Sequence, residues 1–394
     1  MTAELPLLEI ASLVEDAGAR DLRGCMQCGV CTGVCPWQIV DVLSPRRVMR
    51  DISFGLEGWE QEAVWRCVTC NACEQVCPRQ LCITGIMQSA RAVLQESGTA
   101  PRSLSGPLAS LRTDGNPWNG DRSSRSEWAA SVGMPFWNAD CDTLLFPCCA
   151  QIYDARNRRA ARALATLLSL AGCSAGTLQS DSACCGEQAK RVGAVDVFNE
   201  LLRSNEQVFR EADVSQVLVA SPHCLDVFRA EPVSRKVRVE HVSQALWRYV
   251  EAGNLRPVRP VRAVITYHDP CYLGRYAGVY DAPRHVINAI PGIDFREMER
   301  CREDSLCCGG GGGGMFLETA PDKRLSVHRV REARESGASI LVVSCPYCML
   351  MFEDAITAAG LSDELAVMDL SELLLYSIAD SDGCEAVQLA EAAL

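Results

Sequence analysis

Apolar positions change their spacing several times along this chain, and each change predicts a different element. Between residues 4 and 23, Leu8, Ala11, Leu13, Val14 and Ala17 recur among acids as on a short amphipathic helix, a packing or docking element. Pro45-Arg46-Arg47-Val48-Met49-Arg50 puts proline where a helix can begin, and Ile83 to Leu94 reads as another helix. Residues 97–131 lose the pattern. Ser103-Leu104-Ser105-Gly106-Pro107 and Asp114-Gly115-Asn116-Pro117 are too rich in Ser, Gly, Pro and Asn to bury much, so a linker or surface wrap is expected. From residue 141 the order is strand, turn, helix. Thr143-Leu144-Leu145-Phe146 reads as a buried strand ending at Pro147-Cys148-Cys149, and Arg156 to Leu170 as a helix closed by Gly172. Gln216 to Ala220 reads as a second strand, ending at Ser221-Pro222-His223-Cys224. After Pro257 and Pro260 the order restarts. Ala263 to Tyr267 runs into His268-Asp269-Pro270-Cys271, and Ser339 to Ser344 into Cys345-Pro346-Tyr347-Cys348 and a helix.

The restart is an internal repeat. Cys148, Cys184, Cys185 and Cys224 map onto Cys271, Cys307, Cys308 and Cys348 with offsets of 123, 123, 123 and 124 residues. Each half sets its cysteines where a strand gives way to a loop, the place where open α/β sheets bind ligands. Two α/β lobes with pseudo-twofold symmetry are therefore expected. Ser221 stands where the second half has Cys345, so only the second half keeps the full set of Cys271, Cys307, Cys308, Cys345 and Cys348. The first half retains Cys148, Cys184, Cys185 and Cys224, with Cys149 as a substitute fifth thiol.

Composition narrows the chemistry. With 394 residues, 48% of them hydrophobic, the chain is long enough for two or three domains with their own cores. A net charge of −12 argues against a general nucleic-acid or anionic-membrane surface. The 23 cysteines would suit a secreted disulfide scaffold only in a shorter chain with a leader. Residues 1–20 instead carry Glu4, Glu9, Glu15, Asp16 and Pro6, with no signal peptide or lipidation motif visible. The strongest apolar stretch, Ile340 to Phe352, is too short to cross a bilayer. A cytoplasmic protein is expected, its thiolates kept for metal and any membrane attachment supplied by a partner.

Two cysteine runs say which metal. Cys25-x2-Cys28-x2-Cys31-x3-Cys35-Pro36 recurs as Cys67-x2-Cys70-x2-Cys73-x3-Cys77-Pro78, the bacterial ferredoxin arrangement. In it, three close thiolates cap one cubane and the fourth reaches across to the other. Cys25, Cys28, Cys31 and Cys77 are then expected to hold one [4Fe–4S] cluster, and Cys67, Cys70, Cys73 and Cys35 the second. Zinc prefers isolated ligand pairs to runs of four. Cys82 lies outside both runs and reads as structural.

The five cysteines of the second half weigh against three plain readings. Disulfides conflict with the compartment. Buried structural thiols conflict with the flanking Pro and Gly. Zinc would leave one ligand over. An iron–sulfur site is the better reading. Serine is a poor iron ligand unless deprotonated, so the first half is expected to carry a differently ligated cluster, zinc, or nothing. Gly309 to Gly314 lacks the Gly-Lys-Ser/Thr ending of a phosphate loop, and no GxGxxG joins a strand to a helix, so neither a nucleotide, a flavin nor a nicotinamide is inferred. The six glycines instead suggest backbone that approaches a cluster closely and offers it N–H donors. His268 and Arg275 are candidates for orienting a substrate, against strand-end packing or a surface ion pair.

With these residues in view, the chain resembles a known family. The paired Cys-Cys-Gly domains are similar to the catalytic part of heterodisulfide reductases, and the fused order, ferredoxin module first, to the D-type subunit of heterodisulfide reductase. Relatives by the same resemblance are the K-type subunit associated with dissimilatory sulfite reductase and the electron-transfer subunit of class II benzoyl-CoA reductase. His268-Asp269-Pro270-Cys271-Tyr272-Leu273-Gly274-Arg275 and Cys307-Cys308-Gly309 carry it, over residues 20–95 and 141–360. The resemblance implies an α+β multidomain protein: a helical two-cluster ferredoxin module (1–96), a linker (97–140), a degenerate first lobe (141–260) and a complete second lobe (261–394). It also implies a noncubane [4Fe–4S] cluster on each intact five-cysteine set, with one iron open to a substrate sulfur. A disulfide takes two electrons while cubanes usually deliver one, so a site that holds the sulfur between transfers avoids a free thiyl radical. The expected function is an iron–sulfur subunit relaying electrons to disulfide/thiol chemistry, with flavoprotein, ferredoxin-type or membrane cytochrome subunits as partners. The alternatives are a pure electron-transfer subunit, and the iron–sulfur subunit of a flavin-dependent 2-hydroxyacid or glycerol-3-phosphate oxidase.

Overall fold

Runs such as Thr143-Leu144-Leu145-Phe146 and Ile340-Leu341-Val342-Val343 are buried at every position, as strands of a parallel sheet covered on both faces must be. The computed structural model, which describes Leu7 and residues 9–60, 62–179, 182–230 and 237–378, places them in two four-stranded parallel sheets. The first contains β1 (Thr143–Phe146), β2 (Ala175–Gly176), β3 (Gln216–Val219) and β4 (Arg238–His241) in the order β2-β1-β3-β4. The second contains β5 (Val264–Tyr267), β6 (Asp294–Phe295), β7 (Ile340–Val343) and β8 (Ala366–Asp369) in the order β6-β5-β7-β8. The topologies are identical, and the central pairs register Leu144 on Val217 and Ile265 on Ile340.

The lobes meet through helices, and the contacts obey the repeat. Helix Ala155–Leu170 of the first lobe packs on helix Leu370–Ser377, which follows β8. Helix Val242–Glu251, which follows β4, packs on helix Asp281–Ala289 of the second lobe. Each contact pairs an early helix of one lobe with the last helix of the other, as a pseudo-twofold axis requires. Leu164, Leu168, Leu246, Val286, Ile287, Leu373 and Leu374 form one core across this junction. Each such side chain contributes about 1.5–3 kcal/mol by leaving water. Arg156 donates both guanidinium arms to Glu372, at 2.8 and 2.9 Å, and reaches Glu353 at 2.7 Å.

The N-terminal module is helical. The helix expected over residues 4–23 is Glu9–Asp16, with Ala11 and Val14 buried and Leu13 exposed; Leu8 lies outside the described residues. Pro45–Ser53 starts with Pro45 at its first position and Ser44 accepting from the Arg47 N–H. Ile83–Glu96 is the module's longest helix, and its Arg91 is fully buried.

Residues 97–140 bury more than their composition implies. They form helices Ser105–Thr113 and Ser124–Ser131, and they bury Leu104, Leu111, Arg125, Trp128 and Ala129. The buried side chains are spaced too widely among small polar residues to register as a periodic face.

Candidate metal centres

The two ferredoxin runs bend alike. In the first, Gln27 and Gly29 have φ of 58° and 85°; in the second, Thr69 and Asn71 have φ of 49° and 67°. These left-handed residues flank the second cysteine of each run and turn the chain so that its thiols converge. Cys25, Cys28, Cys31 and Cys77 line one cavity, and Cys35, Cys67, Cys70 and Cys73 line another. The fourth cysteine of each run thus stands in the other run's set. Cys28 is exposed, whereas Cys35, Cys70 and Cys73 are buried, so the first set faces solvent and the second faces inward. Burial pushes the Cys73 and Cys35 thiols up, which makes the inner set a poor home for bare thiolates and a good one for thiolates neutralised by iron. Cys82 lines neither cavity.

The second lobe collects its cysteines at the C-terminal edge of β5 and β7. Cys271 opens the π-helical turn Tyr272–Tyr276, Cys307 and Cys308 lead into the glycine run, and Cys345 caps helix Pro346–Ala358, with Cys348 in its first turn. The parts converge: Cys271 Sγ is 3.9 Å from Cys307 Sγ, and Cys348 Sγ is 3.4 Å from Cys308 Sγ. His268 brings a ring nitrogen to within 4.8 Å of the Cys308 and Cys348 sulfurs. All five thiols are buried. Against burial, contacts with Cys348 and His223 bring the Cys345 thiol down to about 6.

The inward ferredoxin set touches this lobe. The Cys70 and Cys307 thiols are close enough to interact, and that interaction is the main reason the Cys70 thiol falls to about 6. Around them, Arg275 Nε donates to the Cys70 carbonyl at 2.7 Å and Nη1 to that of Ser305 at 2.8 Å. Tyr272 OH shares a hydrogen bond with Thr69 Oγ1 at 2.8 Å, and Tyr276 OH donates to the Thr69 carbonyl at 2.8 Å. Arg275 therefore braces the junction between modules. The glycine run does the same. Gly309 N–H donates to Cys307 Sγ at 3.4 Å, as a donor to the site should, but Gly311 and Gly312 face the ferredoxin loop. A Cβ on Gly311 would sit 2.6 Å from the Val68 carbonyl oxygen, and one on Gly312, at φ +60°, 2.5 Å from that of Cys67. Arg91 closes the joint, donating to the carbonyls of Val64, Trp65, Cys67, Arg191 and Gly312.

The first lobe also gathers thiols. Cys148, Cys149, Cys184, Cys185 and Cys224 are all buried, and they neighbour one another as Cys148–Cys224–Cys185–Cys184–Cys149. Ser221 is fully buried, its hydroxyl without a hydrogen-bond partner. Arg125 is 1% exposed and donates to Cys149 Sγ at 3.3 Å, while its Nε and Nη1 have no partner. A buried cation that donates to a thiol and keeps two donors free fits an anionic sulfur-rich group. The charge on Arg125 is invisible to spacing arguments, because it comes from the stretch read as linker.

The lobes exchange one residue each. His223 and Tyr347 occupy equivalent places in Ser221-Pro222-His223-Cys224 and Cys345-Pro346-Tyr347-Cys348. The His223 ring leaves its own lobe to lie 4.0 Å from that of Tyr272 and to reach the Cys345 thiol. Its Nδ1 is 2.9 Å from Glu187 Oε2, off the axis of a hydrogen bond but within ion-pair range. Although burial opposes charge there, Glu187 and Cys345 hold the imidazolium well above its usual range. Burial, then Cys148, Cys184, Cys185 and Cys149, push the Tyr347 phenol up, which places it among the first-lobe thiols.

A cleft of about 1400 Å³ opens onto the second-lobe site at Cys308 and Gly309. The ferredoxin module forms one wall through Trp37, Trp65 and Arg66, and the lobe forms the other through Phe316 and Met351.

Fold and thiol sets together define an iron–sulfur redox protein. Residues 21–81 match the 4Fe-4S dicluster domain, and residues 143–229 and 265–353 each match the Cysteine-rich domain. The chain belongs to the family of the heterodisulfide reductase D-type subunit. It is 30% identical to the D-type subunit of the dihydromethanophenazine:CoB–CoM heterodisulfide reductase of Methanosarcina barkeri, over 91% of this chain and 94% of that one. It is also 33% identical to the probable iron–sulfur-binding oxidoreductase FadF of Bacillus subtilis, over 82% of this chain and 47% of that protein. The EtfAB:quinone oxidoreductase of Syntrophomonas wolfei is 31% identical over 79% of this chain and 46% of its own length. The chain spans about half the length of these last two relatives.

Proposed function

We propose that the chain is an iron–sulfur oxidoreductase subunit that relays electrons through two [4Fe–4S] cubanes to a noncubane [4Fe–4S] cluster, where disulfide/thiol chemistry takes place. Cys25, Cys28, Cys31 and Cys77 hold the outer cubane, Cys35, Cys67, Cys70 and Cys73 the inner one, and Cys271, Cys307, Cys308, Cys345 and Cys348 the noncubane cluster. The contact between Cys70 and Cys307 carries this reading, because it makes ligands of successive centres neighbours. The donor sets suit iron: they are all-thiol, buried or half-buried in most members, and backed by N–H donors. When bound, the noncubane cluster supplies an iron that a substrate sulfur can meet. The chain's own residues do the rest. Arg275, Tyr272 and Tyr276 hold the two modules in register, and the cleft admits substrate on the Cys308 side while the lobe's β-sheet excludes water from behind.

Electrons enter at the outer set. Cys28 is exposed, and Met26, Val30, Val34 and Val76 are exposed apolar residues of the same two ferredoxin runs. Arg46 and Arg79 line that cavity. On a chain of net charge −12, apolar surface rimmed by arginine suits an acidic redox partner. A membrane cytochrome or flavoprotein subunit would fill that role. Among the described residues, no helix is long and apolar enough to cross a membrane, so attachment would come through such a partner.

A second reading is a pure electron-transfer subunit. Ser221 and the intrusion of Tyr347 favour it, since they leave the first lobe unlike the second. In that lobe we assign Cys148, Cys184, Cys185 and Cys224, completed by Cys149, to a differently ligated cluster or zinc.

The test is anaerobic isolation with iron counting and EPR, alongside disulfide reduction by an artificial donor. Cys308→Ala is expected to remove one cluster's iron and signal, abolish turnover and leave both cubane signals intact. Iron for two cubanes alone, with Cys308→Ala changing nothing, would overturn the proposal. Cluster loss without any disulfide activity in the wild type would select the electron-transfer reading.

A further inference from the structure

His268 is a side chain of the second-lobe site that is not a thiol and that the relay does not use. It is fully buried, it stands at the C-terminal end of β5, and its ring meets the edge of Phe352 at 4.7 Å. Its Nε2 has no hydrogen-bond partner, and one of its ring nitrogens lies within 4.8 Å of both the Cys308 and Cys348 sulfurs. The opposite nitrogen is engaged: Arg329 Nε donates to His268 Nδ1 at 3.2 Å.

That hydrogen bond decides the tautomer. A guanidinium has donors only, so Nδ1 must present its lone pair to Arg329. With Nδ1 accepting, the ring is the neutral tautomer whose proton sits on Nε2. Arg329 cannot turn away to release the constraint. It is itself fully buried, with Nη1 bound to Glu332 at 2.8 Å and to the Arg300 carbonyl at 2.8 Å, and Nη2 bound to Ser305 Oγ at 3.1 Å. An Nε2 that carries a proton cannot be a metal ligand, but it can donate to sulfur.

We propose that His268 is a positioning residue, locked by Arg329 as an Nε2–H donor to the sulfur of Cys308 or Cys348, and that it raises the reduction potential of the second-lobe centre without coordinating it. An N–H···S bond stabilises the more negative, reduced form, so its loss makes the centre harder to reduce. The repeat places Leu145 at the equivalent position of the first lobe, so the device belongs to the second lobe alone. The proposal rests on the second-lobe cluster proposed above, and its test separates the two.

The test uses full-length holoprotein labelled with 15N-histidine, compared by pulsed EPR with His268→Gln, and by redox titration with His268→Phe. In the wild type, His268 is expected to give the weak nitrogen coupling of a hydrogen-bonded ring. His268→Phe should keep full iron and lower the midpoint potential, by at least a tenfold change in the reduction equilibrium, about 59 mV for a one-electron couple. His268→Gln, which keeps a donor, should recover most of the shift. The strong coupling of a coordinated nitrogen, or a potential unmoved in His268→Phe, would overturn the proposal. If His268→Phe fails to load iron, the wild-type coupling alone decides between ligand and donor. Absence of a second-lobe signal in the wild type itself would instead sink the cluster assignment.

Discussion

Ser221 and Cys345 show how much one atom decides. They hold equivalent places at the ends of β3 and β7, and both are fully buried, but Cys345 meets the Cys348 thiol. The Ser221 hydroxyl is left without a partner. Such an orphan costs about 1–3 kcal/mol, so the site is tuned for sulfur and tolerates oxygen at a price. Ser221→Cys is expected to increase the iron bound per chain by restoring the thiol that the second lobe has as Cys345, read by metal analysis under anaerobic conditions. Unchanged iron would show that Tyr347, not the missing sulfur, limits that lobe. The Cys-Cys-Gly spacing reveals the thiols but not the charges that serve them. Arg125 stands 24 residues before the Cys149 it meets, and Arg329 61 residues after the His268 it meets, separations at which no local signal exists. Glu187 follows Cys185 closely, but the His223 it pairs with comes from a different helix.

At the scale of elements, the glycine run and the ferredoxin loop form one joint. Gly312 has φ +60°, and an added methyl would meet the Cys67 carbonyl at 2.5 Å, against backbone that cannot yield. Gly312→Ala should therefore push the loop of Cys67–Cys70 away from Cys307 and slow electron transfer between the modules at least tenfold, measured by flash or stopped-flow reduction with both centres still loaded. A second joint is electrostatic. Asp41 of the ferredoxin module accepts from Lys323 of the second lobe at 2.9 Å and from Arg66 at 2.8 Å. Lys323, then the Val42 N–H and Arg66, hold the Asp41 carboxyl far below its usual range. Because the folded pKa is depressed, the stabilisation is present above the ordinary carboxylate pKa near 4 and is lost as pH falls below it. Acidification from about pH 5 to pH 3 should lower the hydrogen-exchange protection factors around Lys323, and Asp41→Asn should show the lowered protection already at pH 7. Added salt should weaken the effect, since the pair is partly exposed.

Across the whole molecule, the order outer set, inner set, second lobe runs from solvent into the protein. An acidic partner at the outer set predicts a salt-dependent encounter. Arg79→Glu should lower the association rate about tenfold at low ionic strength, and the difference should fade at high salt. Val30→Ser should slow it with little salt dependence. Equal rates for all three proteins with the physiological donor would move the docking face elsewhere, or to a lipid surface. The same order fits the lobe asymmetry: the inner thiol set abuts Cys307, and the first lobe meets that junction through Glu187, Gln188, Arg191 and His223.

Sequence alone determined what is local or periodic: the two thiol runs, the duplicated strand–loop–helix order, and the substitution at Ser221. Spacing records these because a cubane's ligands and a strand's burial impose fixed offsets along the chain. Tertiary structure decided everything that joins distant segments. It set Cys70 beside Cys307, turned the glycines toward the ferredoxin backbone as well as the site, and recruited Arg125 from an expected linker. It also exchanged His223 for Tyr347 across the lobes and fixed the His268 proton through Arg329. Those choices depend on packing between modules, which leaves no period along the sequence.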